Sequence, residues 1–287
     1  MRRTIPTRVP SRLLRHSAAA RSIAYLSSMV GVLLLAGKLP YDPENPFEAN
    51  GHEKAFPGVV GVTNLFTYLR PEDRVGWDRP PTSEELADLA RGAGLGIAAC
   101  TAMLGVAAAK GWVSAPAWGW RKELTPGDVL ASAALLAAQE AMLVFNEEMV
   151  FRGYGLDTLT EAFGQRRALA VSIALFARYH GPGWKRFVGL SLAGLLLAML
   201  RLRTGNLWHV AGYHWGWNIA QKSIFGPPDG APSLRPLHLH GPEEWVGRPG
   251  HPDPGWLQIA TTTAIIAVAG LTVWRASQNK RTRNASV

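Results

Sequence analysis

Charged side chains occur inside an apolar stretch of the sequence, residues 128–155, where an unpaired ionisable group would be costly. This stretch carries Glu140, Glu147, Glu148 and Arg152. At membrane depth one ionisable group costs roughly 2.5–3.5 kcal/mol on insertion scales, so such groups persist when they are paired or functional. Glu148 and Arg152 stand four residues apart, which predicts an ion pair and leaves Glu147 as the acid available for proton transfer. A structural charge cluster at a helix end is the alternative.

Two further motifs place a histidine in an apolar segment, again with a spacing of four residues. Phe176 and His180 lie at the end of the stretch 168–180, and His214 and Asn218 lie on a tryptophan-rich stretch further on. At this spacing both side chains of a pair project from one helix face toward one point. A capping histidine and an asparagine that joins neighbouring helices are the ordinary alternatives.

Taken together, these sets resemble the motifs of the CAAX prenyl protease type II family, also called the CPBP intramembrane proteases. The segment from Glu147 to Arg152 is similar to Glu-Glu-x-x-x-Arg, and Phe176 with His180 is similar to Phe-x-x-x-His. The third set is similar to His-x-x-x-Asn, and the connecting sequence is similar too over roughly residues 125–225. Each motif alone is a weak signal, whereas three in the family's order are a strong one.

One departure from the family pattern lies between Phe176 and His180, where family members usually carry apolar residues. Arg178 and Tyr179 stand here instead. We expect Arg178 to face a water-filled cavity or the membrane interface, because an unpaired guanidinium is costly in lipid. The departure bears on the surroundings of His180 and leaves its presence in the motif unchanged.

The resemblance implies an endopeptidase that hydrolyses a peptide bond of a membrane-associated protein or peptide. It implies that Glu147 is the general base, with His180 positioning the attacking water or sharing its proton. Glu148 and Arg152 would hold the acidic helix in place and tune Glu147. The candidate catalytic residues are Glu147, Glu148, Arg152, His180, His214 and Asn218.

The remaining two motif residues, His214 and Asn218, are implied donors to the oxyanion of the tetrahedral intermediate. One such donor is typically worth ~2.7–4 kcal/mol in the transition state. A zinc ion bound through Glu147, His180 and His214 is an alternative way to activate water. The chain contains no His-Glu-x-x-His motif, the usual signature of soluble zinc proteases. We therefore favour a glutamate mechanism that requires no cofactor.

Membrane-crossing helices are needed to carry these motifs, and the sequence contains enough apolar runs. A spanning helix needs ~20 apolar residues, and near-charge-free runs of about that length recur along the chain. These runs are residues 22–37, 92–109, 187–200, 204–221 and 254–274. With helices at 128–155 and 168–180, they predict an all-α, polytopic transmembrane helical bundle of about seven to eight spans. Thr125-Pro126 is the predicted start of the acidic helix.

Proline content and charge divide the chain into three regions. Residues 1–89 are predicted to form a basic N-terminal tail, the first membrane helix and a proline-rich extramembrane loop, with a short surface helix near 59–69. Residues 90–275 are the predicted membrane-embedded protease core, which carries the motifs between 147 and 218. Residues 276–287 form a basic C-terminal tail. An organelle transit peptide is the alternative interpretation of the arginine-rich N-terminus.

The net charge of +9 does not indicate nucleic acid binding, because the basic residues fall mainly between the apolar runs and at both ends. This distribution is typical of helix ends held against anionic lipid, so the expected partners are the bilayer and a membrane-associated substrate. Cys100 is the only cysteine, so no disulfide forms within the chain. The Ala/Arg/Gly/Pro-rich composition suggests a bacterial plasma membrane, and nothing in the sequence indicates an oligomeric state.

Two other functions are compatible with apolar helices that carry buried charged residues. A non-catalytic membrane scaffold, or a bacteriocin-immunity protein on the same fold, would keep the helices without the chemistry. A transporter would use the buried acids as a proton relay. The complete set of motif residues argues against the first, and the lack of evident inverted halves argues against the second.

Overall fold

The computed structural model describes residues 12–39, 54–69, 80–114, 125–224, 237–247 and 255–285. Its first five helices are α1 (Arg12–Ala36), α2 (Phe56–Leu69), α3 (Ser83–Ala109), α4 (Pro126–Phe151) and α5 (Tyr154–Phe163). The later ones are α6 (Gln165–Tyr179), α7 (Trp184–Thr204), α8 (Leu207–Ile219) with a π-helix at Ala220–Ile224, α9 (Glu243–Val246) and α10 (Trp256–Ala285). Two-residue strands, β1 (Val113–Ser114) and β2 (His238–Leu239), pair antiparallel. The predicted all-α class is confirmed.

Within the described residues, four helical segments are long and apolar enough to cross a membrane. They are Ser17–Ala36, Ser83–Ala109, Pro126–Phe163 and Trp184–Thr204, and two shorter apolar helices cover Phe56–Phe66 and Trp256–Gly270. The expected number of seven to eight spans is not confirmed in the described part of the chain. The motif helices α6 and α8 have 15 and 13 residues, which is shorter than the ~20 that span a bilayer as a straight helix.

The acidic helix α4 begins where the sequence predicts. The Thr125 side chain accepts a hydrogen bond from the Asp128 backbone N–H, the Asp128 carboxylate accepts from the Thr125 N–H, and Pro126 occupies the first turn. This reciprocal cap satisfies two backbone donors that a helix start otherwise leaves unpaired. A helical segment of this chain therefore starts from purely local interactions.

The same helix ends at Phe151, before the predicted end at residue 155. The chain turns at Gly153 and then enters α5. A Cβ on Gly153 would lie 2.7 Å from the Met149 carbonyl oxygen, and one on Gly155 would collide with the Val150 carbonyl. The turn is tight enough that only glycine fits at both positions, so the predicted single helix is two helices.

Helices α3 and α8 cross with their backbones in contact. A Cβ on Gly92 or Gly96 would press into the α8 backbone, and a Cβ on Gly212 or Gly216 would press into the α3 backbone. Glycines four residues apart on both helices let the axes approach this closely. Gly94 of α3, by contrast, faces open space. The crossing holds the helix that carries His214.

Helix α1 packs on α5 and α2. The Tyr25 ring lies 4.6 Å from the Tyr154 ring, and its hydroxyl is 3.0 Å from the Thr63 hydroxyl of α2. An ion pair of 2.5 Å between Arg21 and Glu161 joins α1 to α5. The predicted surface helix thus exists as α2 but packs one side against α1. At the other end of the chain, α10 continues as a helix into the predicted basic tail.

Candidate functional site

Helix α4 buries the acidic motif completely. The relative exposure is 5% for Glu147, 0% for Glu148 and 1% for Arg152. Arg152 Nη1 donates to Glu148 Oε1 at 3.1 Å, so the predicted ion pair is present. The guanidinium also lies 4.0 Å from the centre of the Phe176 ring, and its Nη2 atom is 3.5 Å from the Gly194 carbonyl. Arg152 therefore ties α4 to α6 and α7, and its buried charge is compensated.

His180 is the C-cap residue of α6, and it faces Glu147. Its Nδ1 atom lies 2.8 Å from the Phe176 carbonyl oxygen, which can only accept, so Nδ1 carries a proton and donates. The Nε2 atom then points at Glu147, 3.5 Å from Oε1. The capping role and the site position, which the sequence left as alternatives, are both present. Arg178, the departure from the family pattern, is exposed.

His214, on α8, lies between the two glutamates. Its Nδ1 atom is 2.8 Å from Glu148 Oε1, and its Nε2 atom is 3.7 Å from Glu147 Oε2. Because Glu148 is paired with Arg152, it is an ionised acceptor, and His214 donates to it from Nδ1. A carboxylate that binds Nδ1–H fixes both the tautomer and the ring orientation of a histidine.

The two imidazoles therefore present their Nε2 atoms to opposite oxygens of Glu147. A neutral imidazole that carries its proton on Nδ1 has a lone pair on Nε2. The Oε2 atom of Glu147 is buried and has no hydrogen-bond partner among the residues described. When both imidazoles are neutral, Glu147 Oε2 and the two Nε2 atoms are three acceptors that converge on one place. This arrangement suits a small group with two donors, such as a water molecule. The cluster can orient a water and take up one of its protons.

Asn218 is bound by a different acid of α4. Its Nδ2 atom donates to Glu140 Oε2 at 3.1 Å, and Glu140 Oε1 forms an ion pair with Lys222. Asn218 lies one helical turn after His214, so the two motif residues share a face of α8 but contact different acids of α4. The structure thus brings Glu147, the ion pair and both histidines together and places Asn218 in a neighbouring polar cluster.

The sequence alone indicated no role for three polar side chains that the structure places in this region. Glu140 and Lys222 form the cluster around Asn218, and Arg201 Nε donates to the Arg152 carbonyl at 3.1 Å. A signal for Glu140 exists, because it precedes Glu147 by seven residues and so shares its helix face. Arg201 gives no comparable signal, since its partner lies on another helix.

A glutamate with two histidines has the ligand chemistry that zinc takes in hydrolases, with one position left for water. Within the described ranges, however, no group of three His, Cys, Asp or Glu side chains is arranged to hold a metal ion. The donor types fit zinc, and binding through Glu147, His180 and His214 stays a prediction.

An apolar helix bundle with a buried carboxylate between two imidazoles defines an integral membrane protein with the groups of an acid–base hydrolase. Residues 129–220 match the family model described as type II CAAX prenyl endopeptidase Rce1-like. The match covers roughly a third of the chain and contains all three motifs. It confirms the resemblance to the CAAX protease (CPBP) family over this part of the chain, and that family is one of peptidases. No curated protein and no solved structure matches the chain.

Proposed function

We propose that the protein is an intramembrane endopeptidase of the plasma membrane of a bacterium, which hydrolyses a peptide bond of a membrane-associated protein or peptide. The observation that carries this proposal is the position of Glu147, buried between the Nε2 atoms of His180 and His214 at 3.5 and 3.7 Å. The three side chains come from three separate helices, and all three belong to family motifs within the matched residues.

Activation of water is the first step. A water held by the Glu147 carboxylate and His180 Nε2 gives a proton to Glu147 as its oxygen attacks the scissile carbonyl carbon. General-base assistance of this kind contributes typically 10²–10⁴-fold in rate. When the tetrahedral intermediate collapses, its C–N bond breaks, the carbonyl reforms, and Glu147 gives this proton to the nitrogen of the leaving amine, so the carboxylate is regenerated in each turnover.

Two side chains of α8, His214 and Asn218, stabilise the oxyanion. In the tautomer held by Glu148, the Nε2 atom of His214 carries a lone pair, so it can donate only after taking a proton. Glu147 Oε2, at 3.7 Å, can lend the proton it took from water, and His214 returns that proton to Glu147 as the tetrahedral intermediate breaks down. Asn218 needs no such transfer, because an amide nitrogen has two N–H groups and only one is used by Glu140. The two side chains together form the proposed oxyanion site.

Glu148 and Arg152 are the supporting pair. Arg152 balances the charge of Glu148, and Glu148 orients His214. The remaining acid, Glu147, is therefore the one whose proton is free to move. His180 is the most exposed member of the cluster, with a side-chain exposure of 20% against 12% for His214 and 6% for Glu147. We place the approach of water and substrate on the side of His180.

The test compares protein termini in membranes of cells that lack the protein and cells that produce the wild type, Glu147→Ala or His180→Ala. Mass spectrometry of terminal peptides should find cleaved ends with the wild type that are absent with both variants. The variants must be present in the membrane at wild-type amounts. Glu161→Ala, which removes a distant acid of α5, is the matched control and should process normally. Normal processing by both site variants would end the proposal.

A further inference from the structure

Glu140 lies at the centre of a second polar cluster, next to the proposed catalytic site. Its side chain is 4% exposed, and its two oxygens have different partners: Oε2 accepts from Asn218 Nδ2 at 3.1 Å, and Oε1 pairs with Lys222. A buried carboxylate is costly unless it is paired and hydrogen-bonded, and this one is both. The cluster joins α4 to the end of α8 and its π-helix.

The helix register places this cluster beside Glu147. His214 contacts Glu148, and four residues later on α8 Asn218 contacts Glu140, which is eight residues earlier on α4. The two helices therefore run antiparallel across both clusters. The Trp215 indole N–H donates to the Ala137 carbonyl at 2.9 Å and holds the same register. One turn of α8 is about 5.4 Å long, so the amide of Asn218 lies one turn from the imidazole of His214.

We propose that Glu140 is a positioning residue for the hydrolysis reaction. It holds the side-chain amide of Asn218 through one N–H group, so that the second N–H group is directed at the oxyanion. Without this partner the amide of Asn218 would be free to rotate about its side-chain bonds. This inference rests on the proposed function, since it assumes that Asn218 donates to an oxyanion.

Lys222 neutralises the charge of Glu140. A lone carboxylate close to a developing oxyanion would raise its energy, because like charges repel strongly where water is excluded. The ammonium group of Lys222 offsets the charge of Glu140, so the pair can hold Asn218 without adding net negative charge. The Lys222 side chain is 45% exposed and reaches inward to a carboxylate that is 4% exposed.

The first experiment measures kcat and KM on the substrate peptide identified by the terminal-peptide comparison. Glu140→Ala should lower kcat about 10- to 100-fold with KM nearly unchanged, since a misplaced donor affects the transition state more than substrate binding. Glu140→Gln keeps an oxygen that accepts from Asn218 and should restore most of the activity. Glu161→Ala removes a partly buried acid of another ion pair and should leave kcat unchanged.

A double-mutant cycle separates positioning from a general structural effect. If Glu140 acts through Asn218, Glu140→Ala should lower kcat no further in an Asn218→Ala protein. An equal loss in both backgrounds, or an unchanged kcat in Glu140→Ala alone, overturns the inference. If Glu140→Ala does not fold in detergent, Lys222→Met and Lys222→Arg serve instead. The methionine variant should lower kcat and the arginine variant should keep it, and equal activity of the two overturns the inference.

These outcomes are distinct from failure of the proposed function. If no cleavage in cells depends on Glu147, the proposed function fails and the role of Glu140 fails with it. If cleavage depends on Glu147 but not on Glu140, only the positioning role is wrong.

Discussion

His214 donates from Nδ1 to Glu148 at 2.8 Å, and this hydrogen bond turns its Nε2 atom toward Glu147. Two adjacent glutamates on one helix thus have different positions in the site. Glu148 is a partner for Arg152 and His214, whereas Glu147 faces the Nε2 atoms of two imidazoles. The predictions that follow test this division of roles and the packing that maintains it.

Glu147→Gln should abolish cleavage with little change in stability. The amide has almost the volume of the acid but cannot take a proton from water, so the rate should fall by about 10²–10⁴-fold. Terminal-peptide analysis of membranes measures the loss. Glu161→Gln makes the same chemical change in a distant ion pair and should be neutral. Biological activity that survives Glu147→Gln would instead favour a non-catalytic scaffold or an immunity protein.

Breaking the buried ion pair should cost more than replacing it. Arg152→Met leaves Glu148 as an uncompensated buried charge, which typically costs ~3–5 kcal/mol of folding free energy. Replacing both residues together, with Glu148→Leu and Arg152→Met, should recover much of that stability. Unfolding in detergent, followed with heat or denaturant, makes the comparison.

The double replacement should nevertheless be inactive, because His214 loses the acceptor that fixes its Nδ1 proton. Stability should thus return in the double variant while activity does not. A double variant that cleaves normally would show that Glu148 does not orient His214.

The crossing of α3 and α8 should be intolerant of a single methyl group. Gly92→Ala places a Cβ against the α8 backbone, and such overpacking typically costs ~1–3 kcal/mol. Activity should fall as well, because α8 carries His214 and Asn218. Gly94→Ala is the matched control, since this position faces open space and alanine is the better helix former. Equal stability of the two variants in detergent would contradict the close crossing.

Removal of metal ions should leave peptidase activity intact. The mechanism proposed here uses the Glu147 carboxylate and two imidazoles as the groups that activate water and stabilise charge. Purified protein dialysed against a zinc chelator should cleave the identified substrate peptide at the untreated rate. Loss of activity on chelation, followed by recovery on addition of zinc alone, would replace this mechanism with the zinc alternative through Glu147, His180 and His214.

Local interactions explain which sequence-based expectations agree with the structure. The cap at Thr125 and Asp128 needs only residues three apart, and the pair of Glu148 and Arg152 needs only one helical turn. Each family motif likewise lies within a few consecutive residues of one helix or its end. The membrane character and the all-α class follow from the number of apolar runs, and the match at residues 129–220 confirms the resemblance to the family over that part of the chain.

Contacts between distant parts of the chain explain the rest. The break after α4 involves a distant residue, Arg201 of α7, which donates to the Arg152 carbonyl, in addition to the local approach of Gly153 and Gly155 to the Met149 and Val150 carbonyls. The position of α2 depends on Tyr25 of α1. Neither Arg201 nor Tyr25 can be identified as a partner from the residues around the break or within α2.

The sequence by itself determined that this protein is a helical membrane protein and which six candidate catalytic side chains its motifs supply. Only the tertiary structure decided that Glu147 stands between two imidazoles while Asn218 pairs with Glu140, 78 residues away along the chain. The physical reason is that helix periodicity assigns a side chain to a face, whereas the glycine crossing of α3 and α8 and the antiparallel register of α4 and α8 choose its partner.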